Sequence, residues 1–187
     1  NNDALLILCR ARLPDAVLRE LLARHPAPGH ALEAARHGAV GGLRGEQIAA
    51  LRRPDPDRLR ADRDWLQAPG HRVLGWHEAD YPALLRRSPG PPPLLFLDGE
   101  PELAWHPQVA VVGSRRPSAG GAERARRFAE AFARAGFVVT SGLADGVDAA
   151  AHAGALGAGR TLAVVGTGPD LCYPAKNRGL WTRIASQ

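Results

Sequence analysis

Three short apolar runs, rich in β-branched residues, stand out in the second half of the chain. They occupy residues 109–112, 137–140 and 161–165, and a glycine follows each of them within two residues. Apolar runs of four or five residues bounded by glycine are typical of strands buried on both faces of a parallel sheet. Two alanine-rich segments of helical length separate the runs. The pattern therefore predicts a βαβαβ unit.

The first segment between these runs, residues 118–135, has the periodicity of an amphipathic helix. Its apolar positions recur at spacings of three and four residues, and they are Ala125, Phe128, Ala129 and Phe132. Ser118 is suited to cap the N-terminus of this helix, and Gly136 is suited to the left-handed conformation that often ends a helix. A second crossover helix is predicted over residues 148–156.

Residues 1–66 predict a small bundle of helices. Helical patterns cover five stretches, which are residues 3–11, a stretch that begins at Pro14, and residues 31–35, 46–52 and 57–66. Leu51, Leu59 and Trp65 are expected to lie in the core of this bundle. Helix pairs joined by glycine turns also fit a helix-hairpin-helix DNA-binding module, but the net charge of zero over residues 1–107 argues against that alternative.

Residues 67–107 are rich in proline and connect the two regions. Strand patterns at residues 72–76 and 94–97 flank a helical turn at residues 81–87. We expect these strands to extend the parallel sheet, and a simple interdomain arm is the alternative. The predicted organisation is a helical domain (1–66), a connecting segment (67–107) and an α/β domain (108–187).

Positive charge is concentrated in the α/β half. Residues 1–107 contain 14 basic and 14 acidic side chains, whereas residues 108–187 contain 10 and 5, which accounts for the whole net charge of +5. This asymmetry is typical of a protein that binds a polyanion. The sequence has two cysteines and neither a long apolar run nor a secretory leader, so we expect a cytoplasmic protein with reduced thiols. It contains no methionine, which indicates a piece of a longer protein.

The turn at residues 113–117 is the first candidate for chemistry. It follows the first predicted strand and leads into a helix, and open α/β sheets bind ligands at this carboxyl edge, where helix N-termini attract anions. Gly113 allows close approach, Ser114 offers a hydroxyl and an N–H, and Arg115 and Arg116 offer guanidinium groups that match phosphate oxygens. These residues predict a phosphate site, although an ordinary solvated turn is an open alternative.

The turn after the second strand is also built of small residues that lead into a helix. Parallel strands bring it to the same edge of the sheet, which adds Ser141 and Gly142 to the predicted phosphate contacts. The final segment adds Lys176, Asn177 and Arg178. The sequence therefore predicts one polar surface assembled from three separate stretches.

Asp148 and His152 are four residues apart on the second predicted helix, so the carboxylate and the imidazole can touch. Such a pair could serve in acid–base catalysis. No nucleophile or metal-ligand pattern lies near them in sequence. We therefore interpret Asp148 as a helix-capping residue and His152 as a packed side chain.

Three motifs follow one another along the α/β half. They are GSRxP at residues 113–117, SGLAxGxDxxAH at residues 141–152 and TLAVVGTGxDxxYPxxNxxL at residues 161–180. Together they resemble the DNA processing protein A family, also called DprA or Smf. The resemblance implies an α/β fold with a Rossmann-like, mostly parallel sheet and helices on both faces, preceded by a small all-α domain similar to a sterile alpha motif. It also implies that further family segments follow residue 187.

The same resemblance implies a function. Members of this family are expected to bind single-stranded DNA without sequence preference, to protect incoming DNA and to help load the RecA recombinase during natural transformation, with a homodimer as the full-length form. We expect no catalysis, no metal and no cofactor. The alternative is an enzyme similar to the Rossmann-like nucleotide phosphoribohydrolases, but the PGGxGT loop of those enzymes is absent here.

Overall fold

The computed structural model of this protein describes residues 2–38, 40–168 and 170–187. The chain divides into two compact units, Asn1–Leu97 and Asp98–Gln187. Each unit has its own buried core and is described by itself. Among the described residues, no helix is both long enough and apolar enough to cross a membrane.

The first unit begins with five helices. They are α1 (Asn2–Arg10), α2 (Asp15–Arg24), α3 (Pro28–Arg36), α4 (Gly45–Arg52) and α5 (Pro56–Leu66). Proline begins α3 and α5, where its missing N–H costs nothing, and Asp55 caps α5 by accepting hydrogen bonds from two backbone N–H groups. Leu51 and Leu59 are buried in the core as predicted, whereas Trp65 is half-buried and stacks on His71 with 4.0 Å between ring centroids.

A short antiparallel ribbon completes this unit. It consists of β1 (Arg72–Gly75) and β2 (Leu94–Leu97), with the short helix α6 (Ala83–Arg86) between them. The sequence predicts that these strands extend the parallel sheet, but in the described chain they pair with each other in a separate sheet. Val73 and its partner Phe96 pack against the helical core, which accounts for this arrangement because the apolar face of the ribbon is covered there.

The second unit contains the predicted βαβαβ arrangement. Its elements are β3 (Gln108–Ala110), α7 (Ala119–Arg134), β4 (Val138–Ser141), α8 (Val147–Leu156), β5 (Thr161–Ala163) and α9 (Arg178–Ala185). The three strands are parallel in the order β3-β4-β5, with Val139 opposite both Val109 and Thr161. The α/β class is therefore confirmed. Because both crossovers run in the same direction along the sheet and parallel crossovers are right-handed, α7 and α8 lie on one face of these strands.

Small residues allow α7 and α8 to pack closely. Ala129, Ala151 and Ala155 are completely buried in the core of the second unit. At Gly154 of α8, an added Cβ would lie 2.9 Å from the carbonyl carbon of Arg126, so the two helix backbones touch. The predicted caps of α7 are confirmed, since Ser118 Oγ accepts from the N–H of Gly121 at 3.1 Å and Gly136 has a φ of 87°.

The apolar face of α7 differs from its prediction at one position. Phe128 is expected in the core, but its side chain is 60% exposed, while Ala125, Ala129 and Ala133 form the buried stripe. The backbones of α7 and α8 are too close for a phenyl ring between them. Phe128 therefore lies outside the helix–helix contact and stacks on Phe132, with ring centroids 6.3 Å apart.

A candidate anion-binding site at the carboxyl edge of the parallel sheet

The turn after β3 presents two arginines to solvent. Gly113, Ser114, Arg115 and Arg116 are all exposed. Ser114 Oγ accepts a hydrogen bond from the N–H of Arg116 at 3.0 Å, which shapes the turn. In the part of the chain that the structure describes, neither guanidinium group has a hydrogen-bond or ion-pair partner. Two cationic groups are thus available to an anion at the start of α7.

This turn lies directly against the N-terminus of α8. The N–H of Val147 donates to the carbonyl oxygen of Ser114 at 3.1 Å. Gly146 has a φ of 78° and a ψ of −119°, and a Cβ on it would lie 2.7 Å from the carbonyl carbon of Arg115. A Cβ on Gly113 would lie 2.9 Å from a methyl group of Val147. Both glycines are therefore required for the two turns to meet.

Sequence reasoning did not identify this contact. It attributed Gly113 to the approach of a ligand, whereas in the structure the space beside its Cα is filled by Val147. One sign of this contact was present in the sequence, because the Asp-Gly pair directly before α8 suggests that Gly146 has a positive φ. The sequence did not indicate that Gly146 packs against Ser114, since Ser114 lies 32 positions earlier in the chain.

The turn after β4 satisfies most of its own polar groups. Ser141 is 3% exposed, and its hydroxyl donates to the carbonyl oxygen of Val111 at 2.6 Å. The N–H groups of Gly142 and Ala144 both donate to Oδ2 of Asp148, at 3.2 and 3.3 Å. The Ser141 hydroxyl and the Gly142 N–H thus both donate within the protein, and the expectation that these two residues contact a phosphate stays a prediction.

The segment before α9 holds the outer side of the same turn. The side-chain amide of Asn177 donates to the carbonyl oxygens of Leu143 and Ala144, at 3.0 and 3.4 Å. Leu143 is buried with a φ of 58°, a conformation that costs a non-glycine residue about 1 kcal/mol or more and needs such support. Nζ of Lys176 lies 3.0 Å from Oδ2 of Asp145. Both predicted residues thus reach the site, but as partners of the turn.

Arg178 completes the set of predicted contacts. It is the first residue of α9 and is exposed, and its guanidinium group has no partner among the described residues. The turn that carries Arg115 and Arg116 and the segment that carries Lys176 both contact the turn between β4 and α8, and Arg178 directly follows that segment in the chain. Among the described residues, no group of three or more His, Cys, Asp and Glu side chains is placed to hold a metal ion.

His152 lies beneath this site, inside the core. It is completely buried, and its Nδ1 is 2.7 Å from Oγ1 of Thr161, which itself donates to the carbonyl oxygen of Val139 at 2.6 Å. Because the hydroxyl proton of Thr161 is directed to Val139, Nδ1 is the donor to Thr161. Burial lowers the pKa of His152 to about 4, and the nearby carboxylate of Asp148 opposes this shift only in part. The imidazole is therefore neutral near pH 7, and it links α8 to β5.

The model of the DNA recombination-mediator protein A family matches residues 72–187 of this chain. Protein Smf of Synechocystis sp. is 44% identical over 115 residues, which cover 59% of this chain and 29% of that protein. DNA processing protein DprA of Streptococcus pneumoniae is 35% identical over 148 residues, which cover 79% of this chain and 51% of that protein. A putative DprA of Mycobacterium tuberculosis is 32% identical over 193 residues, covering 95% and 49%. The chain thus spans about half or less of the length of these relatives.

Two solved structures are similar in fold. The X-ray structure of DprA from Streptococcus pneumoniae superposes with a TM-score of 0.80 and 28% identity, covering 100% of this chain and 65% of that chain. A structure of DprA from Helicobacter pylori, described as showing a unique mode of single-stranded DNA binding, has a TM-score of 0.56 and 30% identity, covering 62% and 52%. The similarity therefore includes both sequence and chain fold.

Proposed function

The chain belongs to the DNA recombination-mediator protein A family, whose members include DprA and Smf, and we propose that it binds single-stranded DNA through its phosphates at the carboxyl edge of the parallel sheet. A role in DNA processing during recombination follows from the family. The strand-binding function is supported by the Helicobacter pylori relative, whose structure is described by its binding of single-stranded DNA. The location of the DNA-binding site is proposed from the residues of this chain.

One observation carries the site: among the described residues, the Arg115 and Arg116 side chains have no partner, and their turn packs against the N-terminus of α8. Three arginines of the second unit, Arg126, Arg127 and Arg134, are instead ion-paired along α7 to Glu123 or Glu130. A guanidinium group without a protein partner can bind a phosphate with two hydrogen bonds, and its planar fork loses less entropy per hydrogen bond than a flexible ammonium group. Contacts to phosphates carry no information about bases, which accounts for binding without sequence preference.

The carboxylates of the site support a binding role over a catalytic one. Asp148 accepts hydrogen bonds from the turn after β4, and Asp145 is paired with Lys176. His152 is buried beneath them and hydrogen-bonded to Thr161. A nucleotide-hydrolysing enzyme needs a carboxylate or an imidazole that can reach its substrate. No observation in the described chain favours that alternative.

We also propose the biological role that the family resemblance implies. The protein acts in the cytoplasm, protects incoming single strands and helps to load the RecA recombinase during natural transformation. The full-length protein acts as a homodimer. Because this chain spans about half of its relatives, these partners are proposed for the longer protein.

The experiment that tests the function is a fluorescence-anisotropy titration with a labelled oligo-dT strand and a matched duplex at two salt concentrations. We expect the single strand to bind more tightly than the duplex. The flexible backbone of a single strand can follow the turns at the sheet edge, whereas these turns present no projecting helix that could enter the major groove of a duplex. A mixed-sequence single strand should bind within a few-fold of oligo-dT. Equal affinity for duplex and single strand, or no binding at either salt concentration, would contradict the proposal.

Replacing Arg115 with alanine should weaken binding to all single strands by a similar factor. The slope of log K against log salt should become shallower by roughly 0.7, the value for one phosphate contact of a single strand. Arg115→Lys should restore part of the affinity, since an ammonium group is a point charge without the two-pronged geometry. The titration series at four salt concentrations gives both quantities, and circular dichroism checks that the fold is unchanged.

Arg134→Ala is the matched control for this variant. Arg134 ends the 16-residue helix α7, about 22 Å from the turn, and its loss removes the same charge. This distance exceeds the Debye length of ~10 Å at 0.1 M salt, so the slope should stay near the wild-type value. If both variants change the slope equally, the binding reflects net charge and the assignment of Arg115 is wrong.

A further inference from the structure

One ion pair lies inside the candidate anion-binding site. Nζ of Lys176 is 3.0 Å from Oδ2 of Asp145. Asp145 directly precedes Gly146, whose backbone packs against Ser114 and Arg115. The pair therefore joins the segment before α9 to the turn beside the unpaired arginines. It also places a carboxylate where the proposed function requires phosphates.

The two partners of this pair differ in how firmly they are held. The Asp145 side chain is 33% exposed, and its second carboxylate oxygen, Oδ1, is buried without a hydrogen-bond partner among the described residues. The Lys176 side chain is 69% exposed, and its ammonium group is carried on a flexible four-carbon chain. The carboxylate thus belongs to the turn, whereas the ammonium group can move to another anion nearby.

We propose that Asp145 competes with a DNA phosphate for Lys176, so that DNA recruits this lysine by replacing one anionic partner with another. The inference rests on the proposed function of the site. An exposed ion pair contributes little to stability, so the exchange is within reach of a single phosphate contact. Asp145 thereby limits the affinity of the site, and Lys176 differs from Arg115 and Arg116, which meet DNA without losing a partner.

This competition has a consequence for salt dependence. When a cationic side chain without a protein partner contacts a phosphate, counterions leave the DNA. Each such contact adds about 0.7 to the slope of log K against log salt. When Lys176 leaves Asp145, the carboxylate that it leaves attracts cations from solution, which offsets part of this release. In the wild type, Lys176 should therefore add less to the slope than one full phosphate contact. In Asp145→Asn, where the carboxylate is absent, it should add one full contact.

The experiment measures oligo-dT binding across a salt series for the wild type, Asp145→Asn, Lys176→Ala and the double variant. Asp145→Asn should bind about fivefold more tightly at low salt, which is the upper range for losing one exposed ion pair, and its slope should be steeper. In the Lys176→Ala background, the same Asp145→Asn change should have an effect of less than about twofold. Melting curves identify any variant that does not fold.

Each outcome decides the inference. If Asp145→Asn tightens binding equally with and without Lys176, general repulsion of DNA accounts for the effect and the competition is refuted. Unchanged or weaker binding of Asp145→Asn also refutes it. If Asp145→Asn does not fold, the salt slope of Lys176→Ala decides alone, because competition predicts that the slope falls by clearly less than about 0.7, the value for one full contact, and a fall of about 0.7 contradicts it. Absence of all binding in the wild type overturns the proposed function, and the inference with it.

Discussion

Replacing Gly146 with alanine is expected to destabilise the second unit by about 2 to 6 kcal/mol and to abolish most of the single-stranded DNA binding. The backbone of Gly146 has a φ of 78° and a ψ of −119°, a region that essentially only glycine adopts, and forcing another residue into it costs about 1 to 3 kcal/mol. The added Cβ would also meet the carbonyl group of Ser114 and lie 2.6 Å from Cδ of Pro117. Overpacking of this kind costs about 1 to 3 kcal/mol more.

Binding should fall even in the fraction of Gly146→Ala that remains folded. The carbonyl group of Ser114 accepts from the N–H of Val147, and the clash moves the turn that carries Arg115 away from α8. Urea unfolding followed by circular dichroism measures the stability, and anisotropy with oligo-dT measures the binding. Wild-type values for both quantities would contradict the contact between the two turns.

Gly120→Ala is the matched control. Gly120 lies in the first turn of α7, and a Cβ on it would meet nothing within 4 Å. Because alanine favours a helix over glycine by up to about 1 kcal/mol, this variant should be as stable as the wild type or slightly more stable. The comparison separates the special conformation of Gly146 from the general effect of adding a methyl group near the site.

The stability of the second unit should fall by about 3 kcal/mol between pH 6.5 and pH 4, because His152 has to gain a proton on unfolding. Burial lowers its pKa to about 4 in the folded protein, whereas a histidine in an unfolded chain titrates near 6.5. The unfolded state therefore binds more protons in this window. The contribution is fully present above pH 6.5, decreases as the pH falls and is lost below about pH 4.

Urea unfolding at several pH values measures this dependence, and an NMR titration of the His152 ring measures the folded-state pKa directly. The control is His152→Gln, which removes the titrating group, so its stability should change much less over the same window. The exposed carboxyl of Glu123 has a pKa lowered to about 2 by hydrogen bonds from Arg126 and Arg127, and its effect on stability begins near its ordinary value of 4.5 as the pH falls. This effect is the same in the wild type and in His152→Gln, so the difference between the two curves isolates the imidazole. Parallel curves for the wild type and His152→Gln would show that the buried imidazole is not the cause.

Local patterns account for what was predicted about the fold. The strands β3 to β5, the helix α7 and its caps at Ser118 and Gly136 were identified because each signal involves residues within one turn or one run. The polar turns could be assigned to one edge of the sheet from sequence, because the carboxyl ends of neighbouring parallel strands lie at the same edge. The exposure of Phe128 could not be predicted, since it depends on how closely α7 approaches α8.

By itself, the sequence determined the α/β class, the family and the position of Arg115 on a turn at the carboxyl edge of the sheet, because periodicity and short motifs are local properties of the chain. Only the tertiary structure decided which of the predicted phosphate contacts have free donors. Ser141 donates to Val111, Lys176 is paired with Asp145, and these partners lie about 30 residues away in the chain. Such pairings depend on which strand ends and turns the fold brings together, and no spacing within one element encodes them.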